Sequence, residues 1–265
     1  MKLFIEPFII IFKNRYMLTN ITISDIKAKY AGSLLGLIWM FVYPLLLLAA
    51  YSFVYIFIFQ ARFAQMNSLE YVLLIFSGLI PFLGFTEGLA VSIVSITANS
   101  SIVKNTMFPV EILPVKAVFF AQCTQTVGFI ILTIVTAITG NISVYSFLLL
   151  PIWIFQIFFG IGLGWLFACL NIYFRDLQNL INLITLFLMM ISPIAYTVDM
   201  VPAGLQPYLK INPLYYFITA YQDSLIVGCF PRDGVLWKLA VISLLVFWLG
   251  YYVFSRLKTI FVDNV

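Results

Sequence analysis

The sequence predicts an all-α integral membrane protein. It has six transmembrane helices, an N-terminal interfacial helix, and short re-entrant helices in the outer leaflet before the last span. Three observations predict this. Only 9% of the 265 residues are charged and 63% are hydrophobic. A soluble domain carries about a quarter charged residues, so no water-facing surface can be built from this inventory. Six apolar stretches approach the ~20 residues that a helix needs to cross a bilayer. With the N-terminus placed inside, ten of the fourteen Lys and Arg fall on the inner side, the asymmetry that sets membrane orientation. Both termini are therefore expected in the cytoplasm.

The first segment, residues 1–32, reads as an interfacial arm and not as a cleavable leader. "LFIEPFIIIF" contains Glu6 and Pro7 and leads into "KNRY" without a small-residue cleavage site. "LTNITISDIKAKY" mixes apolar and charged positions as an amphipathic surface helix does. Ser24 can cap a turn there, and Asp25 with Lys29 has the spacing of a favourable pair. The remainder, 33–265, reads as one six-span domain, with spans at 33–59, 71–96, 117–139, 146–170, 180–196 and 235–254. The fifth is the shortest, and Pro193 is expected to break it near its end. Between the fifth and sixth spans, about 199–230, Asn212 and Pro213 are an N-cap followed by proline at the first helical position. From there Phe217, Ile218, Tyr221 and Leu225 share a face. About fifteen residues of helix rise some 22 Å, short of the ~30 Å hydrocarbon core, so one or two helices dip into the outer leaflet.

The missing chemistry is as informative. Histidine is absent, which removes the usual general base and the commonest metal ligand. The cysteines at 123, 169 and 229 are odd in number and far apart. Cys123 and Cys169 lie in apolar segments and read as small hydrophobes, so neither a disulfide nor a metal site is expected. No glycine is followed by lysine, so the chain has no P-loop to cradle nucleotide phosphates. The net charge of +4 is scattered along the membrane topology and points to no nucleic acid.

Four positions or corners carry the remaining signal. Glu87 is the one carboxylate well inside a span, and an intramembrane ionisable group is a functional hypothesis by default. Gly84 and Gly88 around it have G-x-x-x-G spacing, so Glu87 either bonds within a close-packed bundle or faces a pore. "FFGIGLGW" places Gly160 and Gly164 at the same spacing, read as helix packing. The elbow "IVKNTMFPVEILPVK" carries Lys104, Phe108, Glu111 and Lys116 between Pro109 and Pro114 or beside them. Asn99 and Ser100 can cap a short helix over 101–107, Pro109 stops it, and Pro114 sets the angle of the next span. The elbow is either a docking surface or a connecting loop whose charges enforce topology. The second inner corner places Arg175 at the headgroups and Asp176 at a helix N-terminus.

Four blocks in register carry a resemblance: "DIKAKYAGSLLGLIWMFVYPLLLLAAYSFVY", "KNTMFPVEILPV", "NIYFRDLQNLINLITLFLMMISPIAYTVDMVP" and "NPLYYFITAYQDSLI". From about residue 25 to the C-terminus the chain resembles the permease subunit of polysaccharide ABC exporters, a type-2 ABC transporter family that exports lipid-linked O antigen, capsule or teichoic acid. The resemblance implies a homodimer of six-span subunits in the inner membrane, with two copies of a separate ATPase bound beneath. No cofactor is then expected in this chain, because ATP and Mg sit on that ATPase. It also implies that Phe108, Pro109, Glu111, Leu113 and Pro114 form the F-P-x-E-x-L-P block at the ATPase. Lys104 and the Arg175–Asp176 corner flank this coupling surface. The short outer helices, with Pro213, Phe217 and Tyr221, become a gate.

A sliding sugar polymer needs a channel that holds every sugar weakly and alike, and aromatic faces suit that task. Trp39 with Tyr43, and Tyr51 with Tyr55, repeat at i,i+4 along the first span. Trp39 also fits an interface belt, and the tyrosine hydroxyls fit bonds to a neighbouring helix. Glu87 joins them as a channel-lining expectation. The competing classes are a type-2 exporter of drugs or other small molecules, a membrane-embedded glycan-modifying enzyme, and a passive channel.

Overall fold

The computed structural model describes residues 2–58, 67–105, 108–140 and 142–261, and all their regular structure is helical. Two arm helices, α1 (Lys2–Lys13) and α2 (Arg15–Tyr30), precede α3 (Trp39–Ser52). A 3-10 turn at Gly36–Ile38 leads into α3, and a π turn at Phe53–Ile58 follows it. Then come α4 (Ser68–Val94), the short α5 (Ser100–Asn105), α6 (Ile112–Ile138), α7 (Leu149–Tyr173) and α8 (Leu177–Ile191). The chain ends with α9 (Gln206–Leu209), α10 (Pro213–Gln222) and α11 (Val235–Phe261).

Local chemistry sets the boundaries. Glu70 stands at the third position of α4, and its Oε2 accepts from the Asn67 backbone N–H at 3.0 Å, half of a capping box. Pro114 sits in the first turn of α6, where a missing N–H costs nothing. Gly140, at φ +77°, follows the end of α6 in the left-handed conformation that closes helices. Ser192, ahead of Pro193, is extended at ψ 142° and ends α8, because proline disfavours helical geometry in its predecessor. The Asn212 side chain accepts from the Leu214 N–H at 2.9 Å and opens α10.

Four helices are long and apolar enough to cross a membrane: Ser68–Val94, Ile112–Ile138, Val144–Tyr173 and Val235–Lys258. The third of these gains its first turn from a 3-10 segment at Val144–Leu148. The first and fifth expected spans are shorter as apolar helices, Gly36–Ser52 and Leu177–Ile191. Their shortness has visible causes: the π turn after Ser52 in one, and Pro193 in the other. Residue 59, the expected end of the first span, lies outside the described residues.

The most buried of the four long helices, α4, touches α3, α6, α7, α8 and α10. The tightest pair is α7 with α11. A Cβ on Gly250 would lie 2.0 Å from the Gly162 carbonyl oxygen, and one on Gly162 would lie 2.4 Å from the Val246 oxygen. Gly160 and Gly164 pack on helices as expected, against Val118 of α6 and Ser92 of α4. The run G-I-G-L-G thus serves three neighbours, α6 and α4 on one face and α11 on the other, since positions two apart lie on nearly opposite helix faces. Gly84 and Gly88 lie against Gln125 and Ala121 of α6.

Three local expectations are corrected. Ser24 lies inside the continuous helix α2 and caps nothing. Asp25 and Lys29 do not pair with each other: Asp25 meets Lys116 at 2.9 Å, and Lys29 meets Glu87 at 2.6 Å. The arm therefore docks on the bundle, with Leu18 and Thr22 buried, because its charges find fixed partners across the groove. Ser100, offered as a cap, is already the first residue of α5, and the Asn99 amide donates back to the Ser95 carbonyl at 2.7 Å.

Candidate functional site

A cavity of about 620 Å³ opens among α3, α4, α6 and α8. Trp39, Tyr43 and Pro44 of α3 and Glu87 of α4 lie on its wall. Hydroxyl and amide groups join them: Thr86, Thr124, Gln125, Asn182 and Thr185. Trp39 and Tyr43 are one turn apart and both exposed, Tyr43 more than half. Rings and small neutral polar groups on one wall suit a hydroxyl-rich solute. At the mouth Lys29 pairs with Glu87, and its ammonium also lies 5.0 Å from the centre of the Phe120 ring.

Tyr51 is not on this wall: its ring stands behind it, meeting edge-on at 5.7 Å the ring of Phe76, which does line the cavity. Eight residues of helix rotate a side chain about 80° from its starting face, which separates Tyr51 from Tyr43. The side chains of Tyr55 and Lys104 lie outside the described residues, although their backbones stand in the π turn and in α5.

The elbow is not the exposed charged surface that its composition indicates. Glu111 is only 7% exposed, and its Oε1 pairs with Lys258 of α11 at 2.5 Å. Its backbone carbonyl accepts from the Trp165 indole N–H of α7 at 2.9 Å. Lys116 is turned to Asp25 of the arm. Val110 and Pro114 are buried, and Ser92 of α4 donates to the Pro114 carbonyl at 3.1 Å. Phe108 and Pro109 stay partly exposed. Glu111 and Lys116 point inward because each has an opposite charge fixed opposite it, and a paired, hydrogen-bonded charge tolerates burial. Residues 106 and 107 lie outside the described residues. At the other corner Arg175 and Asp176 are exposed, Asp176 heads α8, and neither pairs with an opposite charge among the described residues.

The residues expected to form an outer gate are wedged into the bundle. Tyr221 is fully buried and donates to Gln156 Oε1 at 2.8 Å, with its ring 4.7 Å from that of Phe129. Phe217 is buried against Phe159 at 5.4 Å. Pro213 is half-buried at the head of α10. Gln222 at the end of α10 donates to the Pro193 carbonyl at 2.9 Å, which ties α10 to the break after α8.

Sequence reasoning missed a polar network that joins these parts. Gln156 of α7 accepts from Tyr221 and from Gln125 Nε2 at 3.0 Å, and it donates to the Pro81 carbonyl at 2.9 Å. The absence of a side chain at Gly84 makes room for Gln125, since a Cβ there would lie 2.1 Å from Gln125 Oε1. The signal was available: amides at 122, 125, 156 and 222 interrupt otherwise apolar runs, and such groups are expected to bond across helices.

The family model described as "ABC-2 type transporter" matches residues 18–226. The chain is 28% identical over 254 residues to the O-antigen export system permease protein RfbA of Klebsiella pneumoniae, covering 93% of this chain and 94% of that one. A protein with the same description from Myxococcus xanthus is 24% identical over 259 residues, covering 96% and 97%. The polysialic acid transport protein KpsM of Escherichia coli is 21% identical over 234 residues, covering 86% and 88%. The matched stretch begins in α2 and runs through the cavity, the elbow and α10. The chain belongs to the ABC-2 type transporter family.

Proposed function

We propose that this chain is the transmembrane subunit of an ATP-driven exporter of lipid-linked polysaccharide, such as O antigen or a similar capsule or teichoic polymer. It acts across the inner membrane, and ATP with its Mg is bound and hydrolysed on a separate ATPase subunit. The observation that carries the reading is the nearly end-to-end similarity to permeases named for O-antigen export. The cavity supports it: Trp39 and Tyr43 offer faces to sugar C–H groups, while the threonines and Asn182 offer exchangeable hydrogen bonds. Neither set demands one hydroxyl pattern, so a polymer can advance.

In this reading the four long helices, the Gly36–Ile58 segment and α8 make six crossings. Both termini are cytoplasmic, following the Lys and Arg bias, and α9–α10 stand at the outer side as the gate. Two copies of the chain face each other over two ATPases. The outward apolar faces of α3 (Phe41, Leu45, Leu46) and α8 (Leu183, Phe187, Met190) flank the cavity, and a second copy along them closes the conduit. Phe108, Pro109 and the nearby Lys104 receive the ATPase, beside Arg175 and Asp176. Glu111 and Pro114 pass its movement into α6, α7 and α11.

Reconstituted with its companion ATPase, the complex is expected to move lipid-linked glycan on addition of ATP; the chain alone hydrolyses nothing. In cells, Trp39→Ala with Tyr43→Ala lowers surface glycan several-fold at unchanged protein level and unchanged ATPase binding. Normal surface glycan in that double variant removes the channel role from these rings. Transport of a small dye in place of glycan by the reconstituted complex removes the polysaccharide assignment.

A further inference from the structure

A second hollow, about 880 Å³, lies between the arm and the outer faces of α6 and α7. It is separate from the sugar-suited cavity, because α6 stands between them. Phe119 and Cys123 of α6 line the hollow, whereas Thr124 and Gln125 line the cavity. Its wall is almost wholly apolar, built from the phenylalanines and isoleucines of α1, α2, α6 and α7. Two cations, Lys13 and Arg15, stand on its rim where α1 turns into α2. The Arg15 guanidinium is fixed there: it donates to the Phe12 carbonyl at 3.0 Å and lies 4.4 Å and 4.5 Å from the centres of the Phe12 and Tyr16 rings. No acidic side chain pairs with either cation among the described residues.

An independent observation points the same way. Thr22 lines the hollow, is only 6% exposed, and its hydroxyl has no hydrogen-bond partner among the described residues. An unpaired buried hydroxyl is unfavourable, and an ester carbonyl next to an acyl chain is a partner that would relieve it.

We infer that this hollow binds one anionic phospholipid, with an acyl chain along the apolar wall, a glycerol ester near Thr22, and the phosphate between Lys13 and Arg15. Basic pockets between membrane helices are suited to anionic headgroups, and the bilayer around a spanning chain supplies such lipids at high local concentration. A second copy of the chain fits less well. A two-fold contact has the same patch on both partners, so it would set the rim cations of the two copies against each other. The inference requires only that the chain spans a membrane and is independent of the exported substrate.

The test is native mass spectrometry of the full-length chain in mild detergent, titrated with phosphatidylglycerol or phosphatidylcholine. Two cations beside an anionic headgroup are worth about thirtyfold in affinity, so retention of one phosphatidylglycerol per chain over phosphatidylcholine by about that factor is expected. Lys13→Gln with Arg15→Gln, both exposed positions, brings the two lipids to near-equal retention. Alkylation of Cys123 by an apolar maleimide gives a second reading: phosphatidylglycerol slows it in the natural chain and not in the double variant. Equal retention of the two lipids by the natural chain overturns the inference, and so does unchanged preference in the variant. Cross-linking of Cys123 between two copies, unaffected by added lipid, overturns it in favour of a protein interface.

Discussion

Gln156 shows how one side chain can hold three helices. It bonds to Tyr221 of α10, Gln125 of α6 and the Pro81 carbonyl of α4. Interhelical hydrogen bonds in membrane proteins contribute about 0.6 kcal/mol on average and up to ~1.7. Tyr221→Phe removes one of these bonds and leaves Gln156 its others, so a loss of about 1 kcal/mol is expected. Gln156→Leu strands the Tyr221 hydroxyl and the Gln125 amide together, each at about 1–3 kcal/mol. Thermal unfolding in detergent should rank the two variants in that order; a Tyr221→Phe protein less stable than Gln156→Leu contradicts the network. Glu111 differs in kind. It ties α6 to the C-terminal helix through Lys258 and to α7 through its own backbone. Lys258→Gln leaves the buried carboxylate uncompensated, whereas adding Glu111→Gln removes the charge as well. Much of the stability lost in the single variant should therefore return in the double, measured as a mutant cycle.

At the scale of elements, the contact of α7 and α11 sets the tolerance of the bundle. The two backbones meet at Gly162 and Gly250 with no room for a methyl group. Gly250→Ala drives a carbon against a carbonyl oxygen, and overpacking of this kind costs about 1–3 kcal/mol or more. At Gly204 the space that a methyl group would take is open to 4 Å beyond the adjoining residues, so alanine there should be neutral. Expression and melting temperature of the two variants, compared side by side, check this; equal behaviour means that α7 and α11 do not approach as described. The Lys29–Glu87 contact between the arm and α4 is part-exposed, so its strength is about 0–1 kcal/mol and falls with salt. Lys29→Glu should loosen the arm, and adding Glu87→Lys should restore its docking, read as protection of the α2 amides from hydrogen exchange. Failure of the exchanged pair to restore protection assigns the docking to the Asp25–Lys116 pair and to Leu18 with its apolar neighbours.

For the molecule as a whole, movement at the elbow has three routes inward. It reaches α11 through Lys258, α7 through Trp165 and the arm through Asp25. The arm in turn holds the mouth of the cavity at Glu87. In the proposed function, an ATPase pushing at Phe108 and Pro109 would act on a clamped assembly and not on a loose loop. Bridging Asp25→Cys to Lys116→Cys with a bifunctional methanethiosulfonate reagent, long enough to replace the lysine side chain, should stop ATP-driven glycan export while leaving ATPase binding intact, with reductant restoring it. Export undiminished by the cross-link means that the arm and α6 stay together throughout the cycle.

The amino-acid sequence alone determined the class. A chain with so few charges has no stable home outside a bilayer, and the Pro193 break, the Asn212–Pro213 start and the short α10 follow from local backbone chemistry. The aromatic pair Trp39 and Tyr43 was also legible, since one helical turn links them. Partners across space were not. Asp25 and Lys29 have the spacing of a helical pair, yet each is drawn to a charge that only tertiary packing places nearby. Glu111 looked exposed because it is a lone charge on a proline-braced elbow, whereas its burial is decided by Lys258, 147 residues away. Local spacing fixes helices, since their hydrogen bonds span four residues; which face is covered depends on contacts between distant segments, and the folded bundle decided that.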